Sequence, residues 1–423
     1  MRAQSFRCAS SCPLLLPQEK TMCQRGHRHT HAHSHASVRN HVEPGHSSRR
    51  DFLRVLMGGT LAGASVLELA WHRAAWARSA GPTDSKLFDL EKAADGVYFA
   101  KARAQAVINC NAAVFVRSND VVVVDAHSKP SAAASLLAQI KRELTDKPVR
   151  YVVNTHFHWD HSQGNHAYRQ TGSKVEILAT NATKRLMSGL SVKRMHESAD
   201  DIAQALEAMR KRAASSNSAA EKAFCAEQIR QMEAYEAELK DFTLELPDIT
   251  FDDAYELKDS AFDLHLQFHG RAHTEGDVFV HCPQRRAIAT GDASHGWVPN
   301  LGDGFPQAWP ATIDNVMQAD FKYVLGGHGP MQPDRTIMTC QRNYIEELTG
   351  KVEEGKRDGL SVAEMQKRFT VASLRSLQSN GYAAFLTRIQ SEGHPRFSSA
   401  DDSPLQNDIN GNIRDIYNNL NRA

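Results

Sequence analysis

With 423 residues, a formal net charge of +1 and 41% hydrophobic residues, the chain holds enough apolar material for one large globular domain with additions. A charge this close to zero gives no electrostatic ground for a nucleic-acid or acidic-membrane partner. The 7 cysteines (Cys8, Cys12, Cys23, Cys110, Cys225, Cys282 and Cys340) contain no CxxC pair and do not space out as a disulfide framework, leaving room only for a stray Cys110–Cys340 or Cys225–Cys282 bridge.

Residues 1–47 are polar, too poor in large apolar side chains for a packed core, and carry a tract at His27, His29, His31, His33, His35, His41 and His46. Such a tract binds borderline metals weakly; the simpler reading is a disordered extension, or sequence upstream of a later start such as Met22. Residues 48–77 have the order of a secretory signal. Ser48-Arg49-Arg50-Asp51-Phe52-Leu53 precedes a glycine-bearing apolar run from Val55 to Leu69, and Ala75-Trp76-Ala77 supplies small residues for cleavage. The paired arginines resemble a twin-arginine signal, which implies the twin-arginine export machinery as a partner and a periplasmic or secreted product beginning near Arg78. The run is short and interrupted by Glu68, so no stable membrane span is expected in the mature protein; an uncleaved anchor helix is the alternative.

Strands are predicted at Gly96–Ala100, Ala112–Arg117 and Val121–Asp125, the last a continuous apolar run as in a fully buried strand. A helix with Pro130 in its first turn and Leu136, Leu137, Ile140 and Leu144 on one face follows, then strands at Val149–Asn154 and Val175–Ala179. Residues 182–245, rich in Ala, Glu, Lys, Arg, Gln and Met and free of Pro, read as a helical insertion. Strands resume at Ile249–Phe251, Asp263–Phe268, Val278–Cys282 and Ala287–Thr290, a helix follows Pro310, and Lys322–Leu325 is the last strand. The main domain is thus expected over 86–330, followed by a helical extension over 331–423 with a loosely ordered stretch after Pro395. Two strand-rich halves around a helical insert suit an α/β fold, a four-layer αβ/βα sandwich.

The chemistry sits in His156-Phe157-His158-Trp159-Asp160-His161, placed just after a buried strand. Nitrogen and oxygen donors without thiolate suit Zn first, with Fe or Mn as rivals. Three later positions are ligand types on glycine-flanked loops at strand ends: His273, Asp292 in Thr290-Gly291-Asp292, and His328 in Gly327-His328-Gly329-Pro330. Each alone is a common structural feature; their order behind the first motif is what carries weight.

In this set the chain resembles the metallo-β-lactamase superfamily over roughly Asp95 to Pro330, apart from the insert. The resemblance implies the αβ/βα fold and two zinc ions per chain: His156, His158 and His273 for one, Asp160, His161 and His328 for the other, and Asp292 bridging. It further implies an activated hydroxide attacking a lactam, ester or thioester carbonyl of a small-molecule substrate, with Asp160 orienting it as well as binding metal. Aspartate at 292, where the cysteine-using β-lactamases have Cys, resembles glyoxalase II and related hydrolases. His158 argues against the flavodiiron branch, which has glutamate there. A mononuclear iron dioxygenase using His156, His158 and a carboxylate is the second reading, and a β-lactamase proper remains open. A metal carrier is the non-enzymatic reading, against which the full ligand set at strand ends argues. Trp297, Phe305 and Trp309 are candidates for an apolar substrate wall, with core packing as the alternative. The insert is a candidate lid offering Met187, Met195, Met209 and Met232, with helix packing as the alternative.

Overall fold

The computed structural model describes residues 87–103, 110–240, 242–391 and 404–420. The histidine tract, the signal segment and Cys8, Cys12 and Cys23 lie outside these residues.

Strands β1 (Phe88–Ala94), β2 (Val97–Ala102), β3 (Ala112–Val116), β4 (Val121–Val124), β5 (Val149–Val153), β6 (Glu176–Thr180) and β7 (Ile249–Phe251) form one sheet in sequential order. Its first four strands pair antiparallel, and β4 through β7 pair parallel. Helix α1 (Pro130–Glu143) makes the β4–β5 crossover, the short helices α2 (Trp159–Ser162) and α3 (Asn165–Arg169) the β5–β6 one. The β6–β7 crossover holds the insertion: α4 (Asn181–Leu186), a π-helical turn Met187–Ser191, and the long helices α5 (Val192–Ser215) and α6 (Ala219–Leu239). The second sheet has the order β12-β11-β10-β9-β8, built from β8 (Ala254–Leu257), β9 (Leu264–Phe268), β10 (Val278–Cys282), β11 (Ala287–Gly291) and β12 (Tyr323–Gly326), with only β11–β12 parallel. Helix α7 (Trp309–Val316) links β11 to β12; α8 (Thr336–Arg357), α9 (Val362–Arg368), α10 (Arg375–Gln378), α11 (Tyr382–Ser391) and α12 (Pro404–Asn419) follow.

Both faces of each sheet are covered, which explains why the central strands read as unbroken apolar runs. In β4, Val122 and Val124 face the second sheet and pack with Leu266, Val280, Ala289 and Leu325. Val121 and Val123 face the other way and meet Ala132, Ala133, Leu136 and Ile140 of α1. The outer face of the second sheet, through Phe279, Ile288 and Val324, packs on α7, α8 and α12. The layers are therefore helix, sheet, sheet, helix: the expected four-layer αβ/βα sandwich with a helical insertion and a helical C-terminal region.

Three expectations change. β1 and β8 were not anticipated, because FDLEKAA and AYEL carry charges along sheet edges and show no clean alternation. The stretch after Pro395 was expected to be loose, yet residues 404–419 form a helix burying Leu405, Ile409, Ile413 and Ile416 at helical spacing. Cys110, Cys225, Cys282 and Cys340 are all buried and free, so neither stray disulfide forms. Among the described residues no helix is long and apolar enough to cross a membrane.

Candidate metal centre

Ligand-type side chains gather where strands of both sheets end. Asp125 follows β4, the His156–His161 segment follows β5, His273 lies between β9 and β10, Asp292 follows β11 and His328 follows β12. The chain bends through residues 155–157 after β5, and His156 and His158 come together there, their ring centroids 4.7 Å apart. At Trp159 the chain turns helical, so Asp160 and His161 swing to the adjacent side; Ser162 Oγ donates to His158 O at 2.9 Å and holds that turn.

Two groups of donors result. His158 Nδ1 lies 3.1 Å from His156 Nε2 and 2.9 Å from His273 Nε2. Asp160 Oδ2 lies 3.5 Å from His161 Nε2 and 3.4 Å from His328 Nε2. Asp292 reaches both groups, with Oδ2 3.6 Å from His273 Nε2 and 3.1 Å from His328 Nε2, and Oδ1 3.4 Å from His161 Nε2. Tetrahedral zinc with bonds of about 2.0–2.1 Å sets its donors about 3.3 Å apart, so this spacing fits metal ligation. The buried His161 Nε2 and Asp292 Oδ1 have no hydrogen-bond partner, another sign that these atoms serve a bound ion.

Each imidazole of the first group, and His161, has its second nitrogen engaged, which fixes which nitrogen carries the proton. His273 Nδ1 donates to Asn300 O at 3.0 Å. His158 Nε2 donates to Asp303 Oδ2 at 2.8 Å, and His161 Nδ1 donates to Asp125 Oδ2 at 2.8 Å. Thr155 Oγ1 donates to Asp125, which leaves it an acceptor for His156 Nδ1 at 3.0 Å. The lone pairs left over are His156 Nε2, His158 Nδ1, His161 Nε2 and His273 Nε2, the atoms that converge.

Burial, reinforced by neighbouring imidazoles, holds His156 well below its ordinary range and His273 down to about 3, so both are neutral, as ligation requires. The other group concentrates negative charge. Burial opposes it, but His161 and His328 bring Asp160 down to about 2, and His328 and His161 hold Asp292 well below the carboxylate range. Against the same burial, Asp292 and Asp160 carry His328 up to about 9, and the Cys110 sulfur with Asp292, Asp160 and Asp125 raises His161. A divalent cation would answer the charge those protons answer, and would displace them.

Glycines make the close approach possible. A Cβ on Gly327 would sit 2.3 Å from Asp292 Oδ1 and 2.7 Å from His161 Cε1. Gly291, at φ +51°, would place one 2.2 Å from Thr155 Oγ1.

The structure brings together all seven ligand candidates but divides the aromatic wall. Trp297, half-buried, stacks on His328 with centroids 5.2 Å apart and an interplanar angle of 16°. Trp309 is 0% exposed, donates Nε1–H to Ala293 O and belongs to the C-terminal core, so it backs His273 rather than facing substrate. Phe305 is buried beneath the Arg271 guanidinium. Met187, Met209 and Met232 are also buried, which makes them packing residues rather than lid contacts; Met195 is half-buried. Sequence reading missed Thr155, Asn300, Asp303, Arg194 and the role of Asp125. Asp125 alone left a trace: an aspartate ending a four-valine strand, here with φ of 69°.

Residues 106–328 match the family model of the metallo-beta-lactamase superfamily. Among solved structures, the chain is similar to a metallo-beta-lactamase from Pontibacter korlensis, at 19% identity and a TM-score of 0.44, covering 61% of this chain and 99% of that one. It is also similar to a metallo-beta-lactamase from Hirschia baltica, at 18% identity and a TM-score of 0.43, covering 62% and 98% respectively.

Proposed function

Because the chain belongs to the metallo-beta-lactamase superfamily, we propose that it is an exported hydrolase that holds two zinc ions and cleaves a small carbonyl substrate, a lactam, ester or thioester. His156, His158 and His273 would hold one ion, Asp160, His161 and His328 the other, and Asp292 both. The observation carrying this reading is the reach of Asp292, whose two carboxylate oxygens approach His273 on one side and His161 and His328 on the other. Ions so held lower the pKa of coordinated water toward about 7 and polarise a carbonyl oxygen.

The chain's own residues supply the rest. Asp125, Thr155, Asn300 and Asp303 hold the imidazole tautomers, so no ligand has to reorganise. Asp160, at the half-buried rim, turns Oδ2 toward both His161 and His328, the side on which an ion would be held. Trp297 offers a flat apolar flank beside His328. Export rests on the arginine pair and apolar run of residues 48–77.

A mononuclear iron dioxygenase would leave Asp160, His161 and His328 without a task, and their convergence favours the two-metal reading. Elemental analysis of purified protein, with nitrocefin and a thioester followed in parallel, is the test. Two zincs per chain with chelator-sensitive turnover are expected, and the preferred substrate then assigns the branch. One iron per chain with oxygen uptake and no hydrolysis would overturn the reading.

A further inference from the structure

The insertion does more than pack beside the metal centre. Its π-helical turn and the first turn of α5 reach it at two points. Ser191 Oγ donates to Phe157 O at 2.9 Å, between His156 and His158. Three residues on, Arg194 is buried with its guanidinium against the Phe157 ring, 5.6 Å from the centroid. That guanidinium clasps Asp303 in a two-pronged pair, Nη1 to Oδ2 at 2.7 Å and Nη2 to Oδ1 at 2.9 Å. The same Oδ2 accepts the Nε2–H of His158 at 2.8 Å. Both members of the pair are buried, Arg194 at 8% and Asp303 at 2% exposure.

We propose that Arg194 is a positioning residue for the metal ligand His158, acting through Asp303, so that filling of the first metal position and docking of the insertion are one coupled equilibrium. The inference rests on the two-metal reading above. Physically, a carboxylate between an imidazole and a guanidinium can turn either way. The bidentate clasp fixes the carboxylate plane, and only then is Oδ2 held where it takes the Nε2 proton of His158 and directs Nδ1 to the ion. Metal bound at Nδ1 makes Nε2–H a stronger donor, which tightens Asp303 and, through it, Arg194. Ser191 and Arg194, three residues apart, lie on one face of the helix and so meet the same side of the centre. A pair serving stability alone would require neither a ligand imidazole on its carboxylate nor contacts of the same turn to the backbone between two ligands.

The test is zinc competition against a chromophoric chelator on the full chain, with Arg194→Ala, Arg194→Lys, Asp303→Asn and, as a control on the exposed side of the insertion, Lys211→Ala. R194A and D303N should each weaken one of the two zinc sites by about 10–100-fold and leave the other at its wild-type affinity. R194K, which keeps the charge but not the fork, should fall between, and K211A should match wild type. Folded R194A and D303N proteins that bind both zincs like wild type would overturn the proposal. Hydrogen–deuterium exchange on the wild type does not depend on the variants folding. Zinc should slow exchange across residues 187–215, and unchanged exchange there on zinc binding would overturn the coupling. A wild type that binds no zinc would instead overturn the two-metal reading on which the coupling stands.

Discussion

At the scale of single residues, Asp125 shows how much of the centre depends on a group that touches no substrate. It sits at φ 69°, a conformation few side chains other than Asn and Asp adopt, and is 2% exposed. Its Oδ1 takes the N–H of Thr155 at 2.8 Å, and its Oδ2 takes the Nδ1 proton of His161. Asp125→Asn preserves size and backbone preference but turns an amide donor toward His161 Nδ1. That nitrogen must then accept, the ring proton moves to Nε2, and the lone pair aimed at Asp160 and His328 is lost. Metal content should fall from two ions toward one, with a cost of about 1–3 kcal/mol in unfolding free energy. A D125N protein with two tightly bound ions would show that the tautomer is set elsewhere.

At the scale of elements, the C-terminal helix α12 is tied to the ligand loop. Asn419 Nδ2 donates to Leu301 O at 2.7 Å and to Gly302 O at 3.0 Å, within the same loop that carries Asn300 and Asp303. The helix is held down by Leu405, Ile409, Ile413 and Ile416 against the core shared with α8. Ile413→Ala should cost about 2–5 kcal/mol in denaturant unfolding, as for other fully buried large-to-small changes. A cost below about 1 kcal/mol would mean that α12 adds little to the fold. The insertion contrasts with this. Its hairpin has two small apolar clusters, one of which takes in Trp159 of the ligand motif, and it also meets the centre through Arg194, Ser191 and the Tyr235 hydroxyl, which donates to Gln163 Oε1 at 2.9 Å.

At the scale of the whole molecule, the centre joins the two sheets. Donors after β5 and donors after β9, β11 and β12 come from opposite halves of the sandwich, so ions held between them bind the folded chain and not the unfolded one. Free metal at 100 times its dissociation constant should add about 2.7 kcal/mol per site by mass action. Thermal melts before and after chelation should therefore separate, the chelated protein unfolding at the lower temperature. Coincident melts, with zinc in excess over protein, would argue that the buried donors hold no ion.

Local sequence carried a large share of this. The valine runs announced strands covered on both faces, the composition of 182–245 announced the helical insertion, and HxHxDH with three later loop residues named the side chains that converge, because strand period and ligand type are properties of neighbouring residues. Helix α12 escaped because Asn, Gly and Asp between its isoleucines mask an amphipathic repeat whose stability comes from packing. For Trp309 and Phe305 the choice between substrate wall and core stayed open, because an aromatic residue beside a ligand reads the same whether it faces a cavity or the core. The groups behind the ligands were least legible. Arg194 is 109 residues from Asp303, and Asp303 is 145 from His158, so no local pattern connects them. Residue type and spacing determined which atoms are able to hold a metal; only the meeting of the two sheets and the insertion decided which nitrogens face it, since a tautomer depends on what stands on the far side of the ring.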